Sequence, residues 1–293
     1  MIFKGSIPAV ITPFTQSLQV DFDALEKHIE FLISEGSHGL VSCGTTGESP
    51  TLSHEEHKEV TSFIIRKSNK RVPVMAGCGS NSTSETIDLV EHAKKSKADA
   101  TLLVTPYYNK PSDDGLYKHF RTIAEKCKNF PIYLYDIPGR SAKKISSELL
   151  LELSKIPNII GVKDATSDLS SPMDVIENCG KNFIQLSGED ATFLAFLVNG
   201  GIGCISVTAN IVPGLCSEIY NSWLKRDYEK SMRLNQHLYS LNKALFLESS
   251  PCPVKYALSK LKRCKNILRL PLTSIKKSTM VEVDKALEKL DLI

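Results

Sequence analysis

A chain of 293 residues is long enough to bury a full hydrophobic core, and α/β barrels of this length fold as one unit. Its 36 Lys and Arg against 33 Asp and Glu leave a formal net charge of +3, and the basic residues come as short pairs (Arg66-Lys67, Lys70-Arg71, Lys94-Lys95, Lys143-Lys144) rather than the dense stripe of a nucleic-acid binder. Eight scattered cysteines without a C-x-x-C exclude a disulfide framework and a zinc ribbon, no apolar run is long enough for a bilayer, and Met1 to Ser6 lacks the order of a signal peptide, so a soluble, cytoplasmic protein is expected.

Along the chain, Ser6 to Thr12 reads as a strand closed by Pro13. Leu25, Ile29 and Leu32 give helical spacing over Asp21 to Ser34, with Asp21 or Asp23 available as the cap. Gly39 to Cys43 is a second apolar strand, followed by Gly44-Thr45-Thr46-Gly47-Glu48-Ser49, and Ser53 with Glu56 forms a capping box for the next helix. Strands at Val72 to Ala76, Ala100 to Val104, Pro131 to Tyr135, Asn158 to Lys163, Phe183 to Leu186 and Ile202 to Val207 alternate with helical segments such as Ser82 to Lys95 and Ser147 to Ser154. The repeat of strand, loop and helix every 25–30 residues, roughly, gives eight units.

Eight such units predict a parallel sheet closed on itself, a (β/α)8 TIM barrel over residues 1–224. An open doubly wound sheet is the alternative; against it, Ile11-Thr12-Pro13-Phe14 stands where a G-x-G-x-x-G would follow the first strand. From residue 225 to 293 the strand signal stops. Arg226 to Leu247, Pro253 to Leu261 and Ser274 to Leu290 read as a C-terminal helical extension packed on the barrel.

Barrel enzymes collect their chemistry at the C-terminal ends of the strands. Ile159-Ile160-Gly161-Val162-Lys163 is an apolar run that ends in a lysine. An amine at that position is partly desolvated, which disfavours the ammonium, and a neutral lysine amine forms Schiff bases with carbonyls. A solvated surface lysine is the plainer reading of Lys163 alone, but neighbouring strands also end in reactive groups. Gly44-Thr45-Thr46-Gly47 offers inward N–H groups and two hydroxyls to a small carboxylate, or is a simple tight turn. Tyr135 is placed to pass a proton, and Arg140 to grip a carboxylate; a core tyrosine and an exposed loop arginine are the competing readings. His54 and His57 share helical i, i+3 spacing without further ligands, so no metal site is expected.

These residues sit in five runs: the Gly44 to Ser49 run, Thr105-Pro106-Tyr107-Tyr108-Asn109-Lys110-Pro111, Tyr135-Asp136-Ile137-Pro138-Gly139-Arg140, Gly161-Val162-Lys163-Asp164-Ala165-Thr166, and Ser206-Val207-Thr208-Ala209-Asn210. Through them the chain resembles, nearly end to end, the dihydrodipicolinate synthase and N-acetylneuraminate lyase family of pyruvate-dependent class I aldolases. The doubled threonine and Arg140 favour the synthase branch over a retro-aldolase acting on a sugar acid or other 2-keto acid. A non-catalytic small-acid sensor on the same scaffold would not need Lys163 and Tyr135.

The resemblance implies condensation of pyruvate with aspartate semialdehyde in lysine and diaminopimelate synthesis, with no metal or organic cofactor. By the same resemblance Lys163 forms the imine, and Tyr135, Thr45 and Tyr108 make a proton relay, Tyr108 coming from a neighbouring subunit. Thr46, the Ile205 main chain and Gly188 hold pyruvate, and Arg140 binds the aldehyde substrate. Ser49, His54, His57, Asn81, Glu85 and Tyr107 match a cleft where L-lysine inhibits some relatives, and the assembly implied is a homotetramer built as a dimer of dimers. Pro50 departs from the usual alanine, Asp164 from a common glutamate, and Asp136 from a frequent asparagine, which adds a negative charge expected near the site.

Overall fold

The apolar runs become eight strands in the computed structural model, which describes residues 3–293; Met1 and Ile2, where the N-terminal reading begins, lie outside the described residues. The strands are β1 (Gly5–Pro8), β2 (Leu40–Ser42), β3 (Val74–Gly77), β4 (Ala100–Val104), β5 (Ile132–Asp136), β6 (Ile159–Asp164), β7 (Ile184–Ser187) and β8 (Gly203–Ser206). Each pairs in parallel with its sequence neighbour from β2 to β8, and β8 returns to pair with β1. One parallel bridge, Ala9 with Val41, spans the remaining gap, where the Val10 N–H donates to the Val41 carbonyl at 3.0 Å. The fold is the expected (β/α)8 barrel, with helices Tyr228–Ala244, Cys252–Lys260 and Lys277–Glu288 forming the C-terminal extension.

The helix starts are encoded locally. Asp21, Ser53, Ser82, Ser112 and Ser146 each accept an N–H from the first turn of the helix that follows, and Ser53 with Glu56 completes the capping box. Each cap satisfies an orphan donor and contributes about 1 kcal/mol.

Alternation along the strands separates two apolar layers. Ile7, Val41, Met75, Leu102, Tyr133, Leu186 and Ile205 fill the barrel interior. Ile132, Leu134, Val162 and Ile159 face the helices instead, against Leu149, Leu153 and Val175. Burying each such side chain stabilises the fold by about 1.5–3 kcal/mol. The extension is not a separate body: Leu238, Val254 and Leu287 share one core with Cys204 and Ile219 of the last barrel unit.

Most strand ends shift by one or two residues from expectation, and two of the differences bear on the site. The first strand ends at Pro8, four residues before Thr12. Beyond it the buried Asn210 side chain substitutes for a ladder partner, donating to the Ala9 carbonyl at 2.8 Å and accepting from the Ile11 N–H at 3.3 Å. A strand that leaves its ladder keeps its backbone groups paired only through such a side chain. Lys163 is the penultimate residue of β6 rather than its end, because Asp164 still pairs with Asp136 and Ser187.

Candidate active site

The C-terminal rim of the barrel brings the predicted residues to one cavity. Its wall includes Gly44, Thr45, Thr46, Tyr135, Arg140, Lys163, Gly188 and Ile205. Tyr135 and Lys163 are register partners on adjacent strands, so both point inward from the same level. The Lys163 Nζ lies 4.0 Å from the centroid of the Tyr135 ring, and each residue is only 7% exposed. An amine against an aromatic face, shielded from water, is placed to react with a carbonyl entering from the mouth.

Space for that amine depends on Gly188. A Cβ there would lie 3.1 Å from Lys163 Cε and 2.7 Å from Ala165 Cβ, so any larger residue would displace the lysine chain. The Gly188 N–H also donates to the Asp164 carbonyl at 2.6 Å, tying the β7 loop to the lysine strand.

The turn expected to hold a carboxylate is a single 3-10 turn, Thr45–Gly47, following Cys43 at a φ of +47°. It is closed by Gly47 N–H to Gly44 carbonyl at 3.0 Å and Glu48 N–H to Thr45 carbonyl at 3.1 Å. From the first strand's extension, Thr12 Oγ1 donates to the Gly47 carbonyl at 2.7 Å. Glu48 ends the turn in the left-handed region at a φ of +54°, which costs a non-glycine residue about 1 kcal/mol. Its carboxylate is fully buried and pairs with the equally buried Lys255 from the extension. Burial pushes the Lys255 pKa down and the Glu48 carboxylate opposes that shift.

The β8 side of the cavity is braced by Asp190, which accepts from Ser206 Oγ, from the Val207 N–H at 2.9 Å and from the Thr208 N–H at 3.2 Å. Burial raises its pKa while these three donors oppose the rise. Asp190 thereby fixes the chain just after Ile205. Glu189, beside it, lines the cavity with a carboxyl raised by burial and by the Asp190 charge, while Lys163 draws it down.

Arg140 is exposed on the short helical turn Pro138–Ser141, and its Nη2 donates to the Ser250 carbonyl at 3.3 Å. It lines both the Lys163 cavity and an adjoining apolar chamber walled by Tyr107, Ser49, Pro50 and Val104. Glu189, Phe246, Ser250 and the Glu48–Lys255 pair were not picked out from the sequence. Glu189 carried a signal, since it stands next to Gly188 at a strand end. Lys255, Phe246 and Ser250 carried none, because only the tertiary return of the extension brings them to the mouth.

Three expected residues stand elsewhere. Tyr108 is 91% exposed on the exterior, at a φ of +72°, and lines neither compartment. His57 is buried, and its Nε2–H donates to the Gly77 carbonyl at 2.8 Å; burial pushes its pKa down to about 4. Its cleft companions remain at the rim: His54 pairs with Glu85, and Asn81 Nδ2 donates to the Tyr107 carbonyl at 3.2 Å. Asp136 corrects the expectation of a charge near the site. One step beyond Tyr135, it faces outward toward Leu150, Val162 and Val175 and accepts from the Ile145 N–H at 3.2 Å. Burial, with the neighbouring Asp164 charge, pushes its pKa up to about 7.

Known proteins similar to this chain carry one family name. The model of the "Dihydrodipicolinate synthetase family" matches residues 2–290. A 4-hydroxy-tetrahydrodipicolinate synthase of Rhizobium meliloti is 52% identical over 98% of this chain and 98% of its own. The chain superposes with a TM-score of 0.96 on a dihydrodipicolinate synthase from Acinetobacter baumannii complexed with pyruvate, 42% identical over 100% of both chains. The same score relates it to an enzyme of Cyanidioschyzon merolae with lysine bound, 33% identical over 99% of each chain.

Proposed function

The chain belongs to the dihydrodipicolinate synthetase family of lyases, and from that premise we propose that Lys163 carries its condensation of pyruvate with aspartate semialdehyde in lysine and diaminopimelate synthesis. The observation that supports this most is the buried amine of Lys163 against the ring of Tyr135, beside a turn built for a carboxylate.

The amine attacks the pyruvate ketone, water leaves, and an imine forms on Nζ. The Thr46 hydroxyl and the N–H groups of its turn hold the pyruvate carboxylate, with the Ile205 main chain and Gly188 opposite. Tyr135 passes protons at the reacting carbon and oxygen, with Thr45 as its neighbour in the relay. Loss of a methyl proton gives an enamine, the imine serving as electron sink. The enamine carbon attacks the aldehyde while Arg140 grips that substrate's carboxylate. The substrate amine then displaces Lys163 and closes the ring.

Tyr108 completes the relay from a neighbouring subunit. Its exposure and its fixed backbone conformation suit a residue donated outward, and the apolar chamber beside Thr45 and Tyr135 suits its acceptor. A second contact, through the exposed side chains of Leu169, Met173 and Val198, extends the dimer to a tetramer. L-Lysine binds at the rim formed by Ser49, His54, Asn81, Glu85 and Tyr107, with His57 supporting it from beneath. Among the described residues no helix is long and apolar enough to cross a membrane, and we assign the enzyme to the cytoplasm.

Parallel assays with pyruvate plus aspartate semialdehyde, and with N-acetylneuraminate, test the reading. Turnover is expected in the first only; cleavage of the sugar acid without condensation would overturn the substrate assignment.

A further inference from the structure

We infer that the buried Glu48–Lys255 ion pair is a positioning device for the carboxylate turn, through which the C-terminal extension sets how tightly the site holds its keto acid. The inference rests on the proposal that Lys163 forms an imine with pyruvate in the cavity beside this turn.

Glu48 is the residue that closes the turn. Its N–H donates to the Thr45 carbonyl, and its own carbonyl accepts the Thr51 N–H at 3.0 Å. The turn's N–H groups therefore aim correctly only while Glu48 keeps its left-handed backbone. Nothing local favours that conformation in a glutamate. The side chain supplies the restraint from far away in sequence: Lys255 Nζ donates to one carboxylate oxygen, and the Arg269 N–H donates to the other at 3.1 Å.

The two cationic side chains share a platform. Lys255 Nζ lies 4.1 Å and Arg269 Cζ 4.4 Å from the centroid of the Phe14 ring. Arg269 is further held by Glu56 and by the carbonyls of Leu18 and Thr51. The Glu48 carboxylate is thus gripped by groups from helix Cys252–Lys260 and the segment after it, and none of them touches the cavity around Lys163. A buried pair of this kind is not a source of net stability, since an apolar replacement is often as stable; what it provides is a single fixed geometry.

The test uses the full-length chain carrying Glu48→Gln together with Lys255→Met, a neutral pair of similar volume that leaves no charge buried alone. Imine formation is read by borohydride trapping on Lys163 at increasing pyruvate, alongside steady-state rates. The expected result is a half-saturating pyruvate concentration raised about tenfold, the loss of roughly one charge-assisted hydrogen bond, with kcat and the KM for the aldehyde within about twofold of wild type. A folded double variant with wild-type half-saturation would overturn the inference. Should the double variant fail to fold, Lys255→Arg, which keeps the pair's charge but moves its donors, carries the same expectation and the same refutation. Absence of any adduct in the wild-type chain would instead refute the imine proposal itself.

Discussion

Adjacent residues on β5 and β6 have opposite fates. Tyr135 and Lys163 point into the barrel and meet at its mouth; Asp136 and Asp164, one residue further on, point outward into the helical layer. Both pairs are buried and both are in register, so burial and proximity to the rim do not distinguish them. The pleat does, because successive side chains leave a strand on opposite faces. The inner pair opens to a cavity with a carboxylate turn and an arginine. The outer pair faces a wall that includes Ile145, Leu150 and Val175, where Asp136 accepts from the Ile145 N–H and Asp164 from the N–H and hydroxyl of Thr166. The difference separates residues that open to the cavity from those that pack into the helical layer.

The comparison is broken most severely at Lys163. Lys163→Arg keeps much of the bulk but removes the nucleophile, and kcat is expected to fall by roughly a thousandfold or more. Retention of wild-type turnover in a steady-state assay would place the imine elsewhere. Tyr135→Phe leaves the ring against the amine and deletes the proton carrier, with an expected loss of about a hundredfold or more in kcat. A loss in pyruvate binding alone would reduce Tyr135 to a packing role.

Arg140→Ala lies at the edge of the inner set. It is expected to raise the KM for the aldehyde substrate by about ten- to a hundredfold and to leave pyruvate half-saturation unchanged. Equal effects on both substrates would show that the arginine shapes the cavity rather than gripping one carboxylate.

Asp136, of the outer pair, should answer to pH instead of substrate. The Asp136 pKa, raised to about 7 in the folded chain against 3.8 as its ordinary value, means that the folded state binds the proton more tightly than the unfolded one. Its contribution to stability is then fully present below about pH 4 and is lost as the pH rises through 7, with a slope of at most about 1.4 kcal/mol per pH unit. Asp136→Asn should remove that slope in denaturant titrations between pH 4 and 7 while keeping kcat within about twofold. A changed kcat with an unchanged slope would move Asp136 to the inner set.

Much of this was legible in the chain. The eight apolar runs are local signals that located every strand, and Asp21 and the Ser53–Glu56 box marked two helix starts. The short runs around Thr45, Tyr135, Arg140 and Lys163 name the cavity wall from sequence alone. The facing of Asp136 was also present in the alternation, because β5 runs one residue past Tyr135 and the pleat carries that residue to the outer side. What stayed hidden depends on chain return. Lys255 lies 207 residues beyond Glu48, and no periodicity or motif links them. Asn210 likewise completes the first strand from 201 residues away.

The central claim is that the Lys163 amine captures the keto acid. Incubating the enzyme with pyruvate and borohydride, then digesting it and reading peptide masses, tests this directly. The account predicts one irreversible pyruvyl adduct, on the peptide containing Lys163 and absent from Lys163→Arg. An unmodified Lys163 peptide, or an adduct on any other lysine, would contradict it.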